Sequence, residues 1–219
     1  MLTSIPPIPL REALHGLGWR GQPVEEGILD SLQEMIDEVR KELRPRVIMH
    51  RFALLSSHRL ENTVFTPMGC DMNKLLDNCD EAVLMAATLG AQSERMLIRR
   101  QAGSSTDALL MDAVLSAAIE AVCDAQETSL RTECEAHGLY LTDRFSPGYG
   151  DMPLEQTKEI CSVLQTDKTI GLTVSKSGIM IPRKSVTAVM GISRMPQKHR
   201  PSRCMMCSMK ETCALRECK

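Results

Sequence analysis

The chain has 219 residues, of which 43% are hydrophobic, 25% are charged and only 3% are aromatic, and its formal net charge is -2. This length predicts one domain, or one domain with an appendage. The apolar and charged fractions are ordinary for a globular protein and exclude a largely disordered chain. The near-neutral charge argues against a protein that binds nucleic acid over its whole surface.

The charges and the cysteines are distributed unevenly along the chain. The segment from Arg194 to Lys219 carries seven Lys/Arg and two Glu, a net charge of +5, so the rest of the chain carries -7. The same segment holds four of the nine cysteines. We therefore predict an acidic domain over residues 1–193 and a basic, cysteine-rich tail over residues 194–219.

The N-terminal segment and the apolar pattern favour a soluble, cytoplasmic protein. The residues from Met1 to Gly18 show no basic region followed by an apolar region, so we expect no signal peptide. No uncharged apolar stretch reaches the roughly 18 residues of a membrane-spanning helix. In a reducing compartment an odd number of cysteines also argues against a framework of disulfides.

The spacing of apolar residues predicts helices in the first two thirds of the chain. The clearest pattern is that of Glu25–Leu43, where apolar residues recur every three or four positions. The other predicted helices are Leu10–Leu17, Asp71–Leu76, Ala91–Gln101 and Thr106–Ala136. A last helix is predicted to begin near Asp151, capped by that residue, with a buried face formed by Leu154, Ile160, Val163 and Leu164.

Strands are predicted between these helices and after them. The run Ala82–Ala87 has the length and composition of a strand buried on both faces. The predicted strands are Arg46–Leu55, Glu81–Thr88, a hairpin of Leu172–Val174 with Ile179–Ile181, and Ser185–Ile192. This mixture predicts an α+β fold, in which helices pack on a twisted, mainly antiparallel sheet.

The segment from Arg144 to Gly150 carries the clearest chemical signal. Pro147-Gly148 predicts a tight turn with bare backbone, which a ligand can approach closely. The guanidinium of Arg144 can hold a carboxylate or a phosphate with two hydrogen bonds, and Tyr149 offers a ring and a hydroxyl group. The alternative interpretation is a helix-entry loop with an arginine on the surface.

Acidic residues interrupt the apolar face of the long predicted helix. Asp112, Glu120 and Asp124 are eight and four positions apart and fall near one face of that helix. A solvated stripe explains Asp124 adequately, whereas Glu120 lies among apolar neighbours, where an unpaired acid is costly. Glu120 is therefore a candidate partner for the ammonium group of a ligand.

The run from Leu141 to Leu154 resembles the S-adenosylmethionine-binding motif of the activation domain of cobalamin-dependent methionine synthase. That motif has an arginine, a Pro-Gly-Tyr turn three residues later and a proline that opens a helix, which here are Arg144, Pro147–Tyr149 and Pro153. The segments Asp112–Asp124 and Leu172–Gly191 agree with the family in order and character. The resemblance covers about Leu10–Ile192 and is best to the stand-alone form of the domain.

The resemblance implies a platform that binds S-adenosylmethionine and supports the reductive methylation of cob(II)alamin on a partner chain. It implies that Arg144 holds the carboxylate of S-adenosylmethionine and that Glu120 faces its positive charge. It also implies that the backbone at Ser146 and Gly148 meets the adenine or the ribose, with Tyr149 as a further cofactor-binding residue. The sequence has no Asp-x-His-x-x-Gly run for cobalamin, so a partner protein is expected to carry it. Where the family has an aromatic pair in the last strand, this sequence has Met190-Gly191.

The tail has the spacing of a metal site. Its four cysteines, Cys204, Cys207, Cys213 and Cys218, follow the pattern C-x2-C-x5-C-x4-C. Four thiolates can hold zinc or an iron–sulfur cluster, and the basic neighbours favour the thiolate form. An iron–sulfur cluster in the tail would provide a route for electrons to reach cob(II)alamin. The alternative is a basic tail with reactive thiols and no metal.

Three functions are therefore compatible with the sequence. The first is an activation subunit of methionine synthase, and the second is a reactivating partner of another corrinoid methyltransferase. The third is a zinc-binding interaction module that binds nucleic acid through its tail. The acidic domain, the few aromatic residues and the absence of zinc-finger spacing oppose the third.

Overall fold

The computed structural model describes residues 4–19 and 21–196. Within them the helices are α1 (Leu10–Gly16), α2 (Glu26–Glu42), α3 (Cys70–Leu76), α4 (Ala91–Gln101), α5 (Ser105–Ala136), α6 (Gln156–Leu164) and α7 (Thr166–Thr169). The strands are β1 (Arg46–Ala53), β2 (Cys79–Thr88), β3 (Tyr140–Leu141), β4 (Thr173–Val174), β5 (Met180–Ile181) and β6 (Ser185–Ser193). The four cysteines of the predicted tail site lie outside the described residues.

Four strands form an antiparallel sheet in the order β1-β2-β6-β3, and β4 and β5 form a separate hairpin. Helices pack on both faces of the larger sheet, which confirms the predicted α+β class and its mainly antiparallel sheet. The described helices contain none that is both long enough and apolar enough to cross a membrane.

The central strand β2 is buried on both faces, which explains its uninterrupted apolar run. Val83, Met85 and Ala87 belong to the core under α1, α2, α4 and α5. Ala82, Leu84 and Ala86 point to the opposite face, toward the core under α3 and α6. Because alternate side chains of a strand point to opposite faces, two separate cores require an apolar residue at every position.

The long helix α5 is the main support on the first face, where it packs against α1, α2 and α4. It begins at a Ser104 cap, whose side chain accepts a hydrogen bond from the backbone of Asp107. It ends before Gly138, which has the positive φ of +69° that favours glycine after a helix. This single helix contacts β2 and β6 and also reaches the edge strand β3.

The segment after Arg144 differs from the sequence prediction. The helix predicted near Asp151 begins at Gln156, and Asp151 does not cap it. Leu154, predicted to be buried, is 54% exposed, while Ile160 and Leu164 are buried as predicted. The reason is that residues 146–155 form turns, so the helical period that placed Leu154 on the buried face starts only later.

Candidate functional site

A cleft of about 1200 Å³ opens beside the C-terminal half of α5. Its walls come from α5, the segment after β3, the end of α3 and the first residues of β6, so distant parts of the chain meet there. Its volume exceeds the roughly 300–1,000 Å³ of typical small-ligand pockets. The cleft is therefore large enough for a small-molecule ligand.

Arg144 lies in the wall of this cleft on a segment that is fixed to the sheet. Phe145, the next residue, exchanges backbone hydrogen bonds of 2.9 and 2.8 Å with Val189 of β6, and its ring is buried. On the other side, the backbone N–H of Thr142 bonds to the carbonyl of Gly191 at 2.9 Å, and its hydroxyl accepts from the N–H of Gly191 at 2.8 Å. These hydrogen bonds on both sides of Arg144 hold its backbone in place beside β6.

The guanidinium of Arg144 faces three carboxylates of α5. Its Nη2 donates to Oδ1 of Asp124 at 2.6 Å and to Oε2 of Glu120 at 3.3 Å, and its Nε lies 3.2 Å from Oε2 of Glu127. The three acids are four and three positions apart, so they stand on one side of the helix. From the sequence, Glu120 was predicted to face a ligand and Asp124 to belong to a solvated stripe, and no role was predicted for Glu127.

A second arginine extends this network by one further helical turn. Arg131 donates to Oε1 of Glu127 at 2.7 Å and to the backbone carbonyl of Leu141 at 2.5 Å. Glu127 is thus shared between Arg131 and Arg144, and its side chain is only 17% exposed. The network connects α5 to β3, the strand that precedes Arg144. It therefore helps to hold the guanidinium at a fixed distance from α5.

The environment of Arg144 keeps it charged. Burial acts to lower the pKa of the guanidinium, but Cys123 and the acids Asp124, Glu127 and Glu120 outweigh burial and raise its pKa. Burial in turn raises the pKa of the Cys123 thiol to about 12, so this thiol is protonated at neutral pH. Nη1 of Arg144 is buried and makes no hydrogen bond among the described residues.

The turn predicted after Arg144 is present and borders the cleft. Ser146 and Tyr149 line the cleft, and Tyr149 is 54% exposed. Gly148 has a φ of +87°, and its N–H donates within the turn to the carbonyl of Met152 at 2.9 Å. The lining of the cleft includes Gly150 but not Gly148, whose N–H already has a partner inside the turn.

Asp151 joins this turn to the N-terminus of α3. Its carboxylate accepts from the backbone N–H of Cys70 at 2.6 Å and from that of Asp71 at 3.1 Å. Asp151 therefore caps α3, which is distant in sequence, and the prediction that it caps the helix following it is wrong. Glycine is required at position 69, since a Cβ there would lie 2.6 Å from Oδ1 of Asp151 and its φ is +113°.

Replacing Asp151 by asparagine is expected to lower the melting temperature near neutral pH. The backbone N–H groups of Asp71 and then Cys70 lower the pKa of the Asp151 carboxyl group. Its folded pKa is below its unfolded pKa, so the stabilisation is present above the unfolded value and is lost as the pH falls through the folded value. Melting curves of wild type and variant should therefore differ near neutral pH and converge in acid.

The matched control for this prediction is Asp30→Asn, which removes an exposed carboxylate of α2. We expect its melting temperature to follow that of the wild type at every pH. A difference between wild type and Asp151→Asn that is as large in acid as near neutral pH would contradict the capping role.

Asp112 and the pair Met190-Gly191, which the sequence also pointed to, lie away from the contacts of Arg144. Asp112 does not reach Arg144; its carboxylate pairs with Nζ of Lys184 at 2.8 Å and helps to attach the start of β6 to α5. Met190 is fully buried in the core under the helices. A Cβ on Gly191 would lie 2.5 Å from Sγ of Cys79, so neither position offers space for an aromatic ring toward a ligand.

Metal binding has no candidate cluster in the described part of the chain. No group of three or more His, Cys, Asp or Glu side chains in residues 4–19 and 21–196 is arranged to hold a metal ion. The candidate ligands of the tail, Cys204, Cys207, Cys213 and Cys218, are beyond residue 196 and remain a prediction from spacing.

Comparison with known proteins identifies the fold. The chain is similar to a crystal structure of the MetH reactivation domain bound to AdoHcy, with a TM-score of 0.64 and 18% sequence identity. The match covers 87% of this chain and 77% of that one. The chain therefore has the fold of this reactivation domain, which is the fold that the sequence resemblance implied. No protein-family model and no curated protein matches the sequence.

Proposed function

We propose that this chain binds S-adenosylmethionine in the cleft beside α5 and serves as an activation subunit of a cobalamin-dependent methionine synthase. In this role it supports the reductive methylation of cob(II)alamin carried by a partner chain. The observation that carries the proposal is the guanidinium of Arg144, held against Glu120 in the wall of a large cleft. The fold that this chain shares with a reactivation domain bound to AdoHcy supports it.

The amino-acid end of S-adenosylmethionine fits the charges of this wall. Its carboxylate suits Arg144, whose buried Nη1 is a donor still in need of an acceptor. Its ammonium group suits Glu120, whose side chain is 47% exposed and therefore accessible. A zwitterionic group satisfies both at once, which a simple anion or a simple cation does not.

The remaining predicted contacts concern the adenosine. Ser146 and Tyr149 border the cleft, so a hydroxyl group and a ring are available to the ribose and the base. For Gly148 we propose only that the absence of a side chain allows the ligand to approach closely. Its N–H is not proposed to bind the ligand, because it donates to the carbonyl of Met152 within the turn. Bound S-adenosylmethionine supplies the methyl group, and the residues of this chain hold and orient it.

We further propose a division into a binding domain of residues 1–193 and a tail of residues 194–219. The tail would hold zinc or an iron–sulfur cluster through Cys204, Cys207, Cys213 and Cys218, and a cluster would pass the required electron to the partner's cobalamin. Anaerobic absorption spectra together with iron and zinc analysis of the full chain test this. Zinc alone would rule out electron entry through the tail.

The partner is the least constrained part of the proposal. A methionine synthase core that carries cobalamin is the first candidate, and another corrinoid methyltransferase is the second. A zinc module for nucleic acid remains the third, supported only by the charge of the tail. We propose a cytoplasmic location for the protein. Both corrinoid functions also require an electron donor as a partner.

Calorimetric titration of the full chain with S-adenosylmethionine, and separately with AdoHcy, tests the proposed function. We expect saturable binding of both with one site per chain. Absence of binding to either would refute both corrinoid functions. If binding is found, methylation of cob(II)alamin on candidate partner chains, with a chemical reductant and S-adenosylmethionine, distinguishes the methionine synthase core from other corrinoid proteins.

A further inference from the structure

Asp124 accepts a hydrogen bond from Arg144, the residue that is proposed to bind the carboxylate of the ligand. Its Oδ1 lies 2.6 Å from Nη2 of Arg144, whereas Oε2 of Glu120 lies 3.3 Å from the same nitrogen. The shortest contact of the guanidinium is thus made by an acid of the protein itself. This contact differs from the others in that its carboxylate belongs to the most exposed of the three acid side chains, with 68% of the Asp124 side chain exposed.

The hydrogens of the guanidinium limit how a second carboxylate can bind. A carboxylate that takes both of its hydrogen bonds from one arginine uses Nη2 together with either Nη1 or Nε. In this structure the two hydrogens of Nη2 are directed to Asp124 and Glu120, and Nε faces Glu127. Each two-pronged arrangement therefore requires that one of the acids releases Nη2.

Exposure decides which acid is released. Glu127 is 17% exposed and also binds Arg131, so moving it would break a second ion pair. Glu120 is 47% exposed and is the proposed partner of the ligand's ammonium group. Asp124 is the most exposed of the three, so water can solvate its carboxylate as soon as it turns away.

We propose that Asp124 acts as a built-in competitor for the ligand carboxylate and so sets the affinity of the site. This inference rests on the proposed function, because it concerns the binding of an S-adenosyl amino acid at Arg144. Without ligand, Asp124 partly neutralises the buried guanidinium. On binding, the ligand carboxylate replaces it on Nη2 and Nη1 while Glu120 stays to meet the ammonium group.

The inference predicts that removal of an acid from the binding site strengthens binding. Asp124→Asn is expected to bind AdoHcy about three- to tenfold more tightly than the wild type, because the ligand no longer displaces a charged partner. Glu120→Gln is expected to act in the opposite direction, with affinity reduced about tenfold. Opposite signs for two acids on one arginine would not arise from a general loss of structure.

Calorimetry with two neutral probes tests the proposal. AdoHcy carries a carboxylate and an ammonium group, whereas 5′-methylthioadenosine shares its adenosine and thioether but lacks both. We expect Asp124→Asn and Asp124→Ala to tighten AdoHcy only, with 5′-methylthioadenosine unchanged. Glu135→Gln, which removes an exposed acid from the same helix, is the matched control and should bind AdoHcy like the wild type.

The outcomes separate this inference from the proposed function. Wild-type binding of AdoHcy with no gain in either Asp124 variant would overturn the role of Asp124 and leave the proposed function standing. An equal gain for both probes would also overturn it, since the effect would not involve the carboxylate. Absence of AdoHcy binding in the wild type and in the Asp124 variants would overturn both.

Discussion

Arg144→Lys is expected to weaken the binding of AdoHcy about 100-fold. Lysine keeps the positive charge but has a single compact ammonium group, so it cannot give two parallel hydrogen bonds to a carboxylate while also holding the acids of α5. Loss of charged hydrogen bonds worth about 1.5–3 kcal/mol corresponds to one to two orders of magnitude in affinity. Calorimetric titration of wild type and variant measures the change directly.

Arg51→Lys is the matched control for this exchange. Arg51 lies on β1 and pairs with Glu81 outside the cleft, so the same substitution there should leave AdoHcy affinity unchanged. Binding by Arg144→Lys as tight as that of the wild type would show that the guanidinium is not the anchor. Circular dichroism of both variants should match the wild type, since lysine preserves a countercharge for the three carboxylates.

Leu84→Ala is expected to reduce the free energy of unfolding by about 2–5 kcal/mol. Leu84 is in the middle of β2, is fully buried, and lies in the core beneath the cleft with Phe145 and Val189. Close packing from both sides leaves little room for the surroundings to close over the missing atoms, so a cavity remains. Equilibrium unfolding in urea measures the loss.

The control for Leu84→Ala is the same substitution at Leu109, which lies on α5 and is 61% exposed. We expect a change within about 0.5 kcal/mol there, because few contacts are removed. Similar losses at both leucines would mean that the effect comes from the substitution itself and not from burial. The comparison therefore tests the position of β2 as the central strand between two cores.

Most helices and strands were predictable because their signals are local. The bounds of α4 match the prediction residue for residue, and those of α2, α5 and β6 agree within one residue at either end. Helix-breaking residues mark the ends of the three helices, with Pro45 after α2, Gly90 and Gly103 on either side of α4, and Gly138 after α5. The fold class followed from the order of these elements, and the structural comparison confirms it.

Strand β3 and the identity of the helix that Asp151 caps were missed because both depend on partners that are distant in sequence. Strand β3 has two residues, and it is a strand only because Tyr140 and Leu141 pair with β6. Asp151 has the residue type of a cap, but the N–H groups that it accepts from belong to Cys70 and Asp71. A local pattern identifies such a residue as a cap without telling which helix it caps.

The candidate site also contains residues that were predictable from the sequence and residues that were not. Arg144 and Glu120 were singled out from residue type, spacing and the family resemblance, and the fold brings their side chains within 3.3 Å of each other. The parts played by Asp124, Glu127 and Arg131 were not predicted, although their spacing of three and four on α5 was a signal. On an exposed helix the same spacing describes a solvated stripe, so the sequence could not distinguish the two.

The sequence by itself determined most of the elements, the class of fold and the two residues on which the proposed function depends. These follow from local periodicity and from a short motif, which do not require knowledge of distant contacts. Only the tertiary structure decided that Asp151 caps α3 and that Asp124 and Glu127 hold the guanidinium of Arg144. Each of these is a contact between segments far apart in the chain, fixed by packing rather than by local sequence.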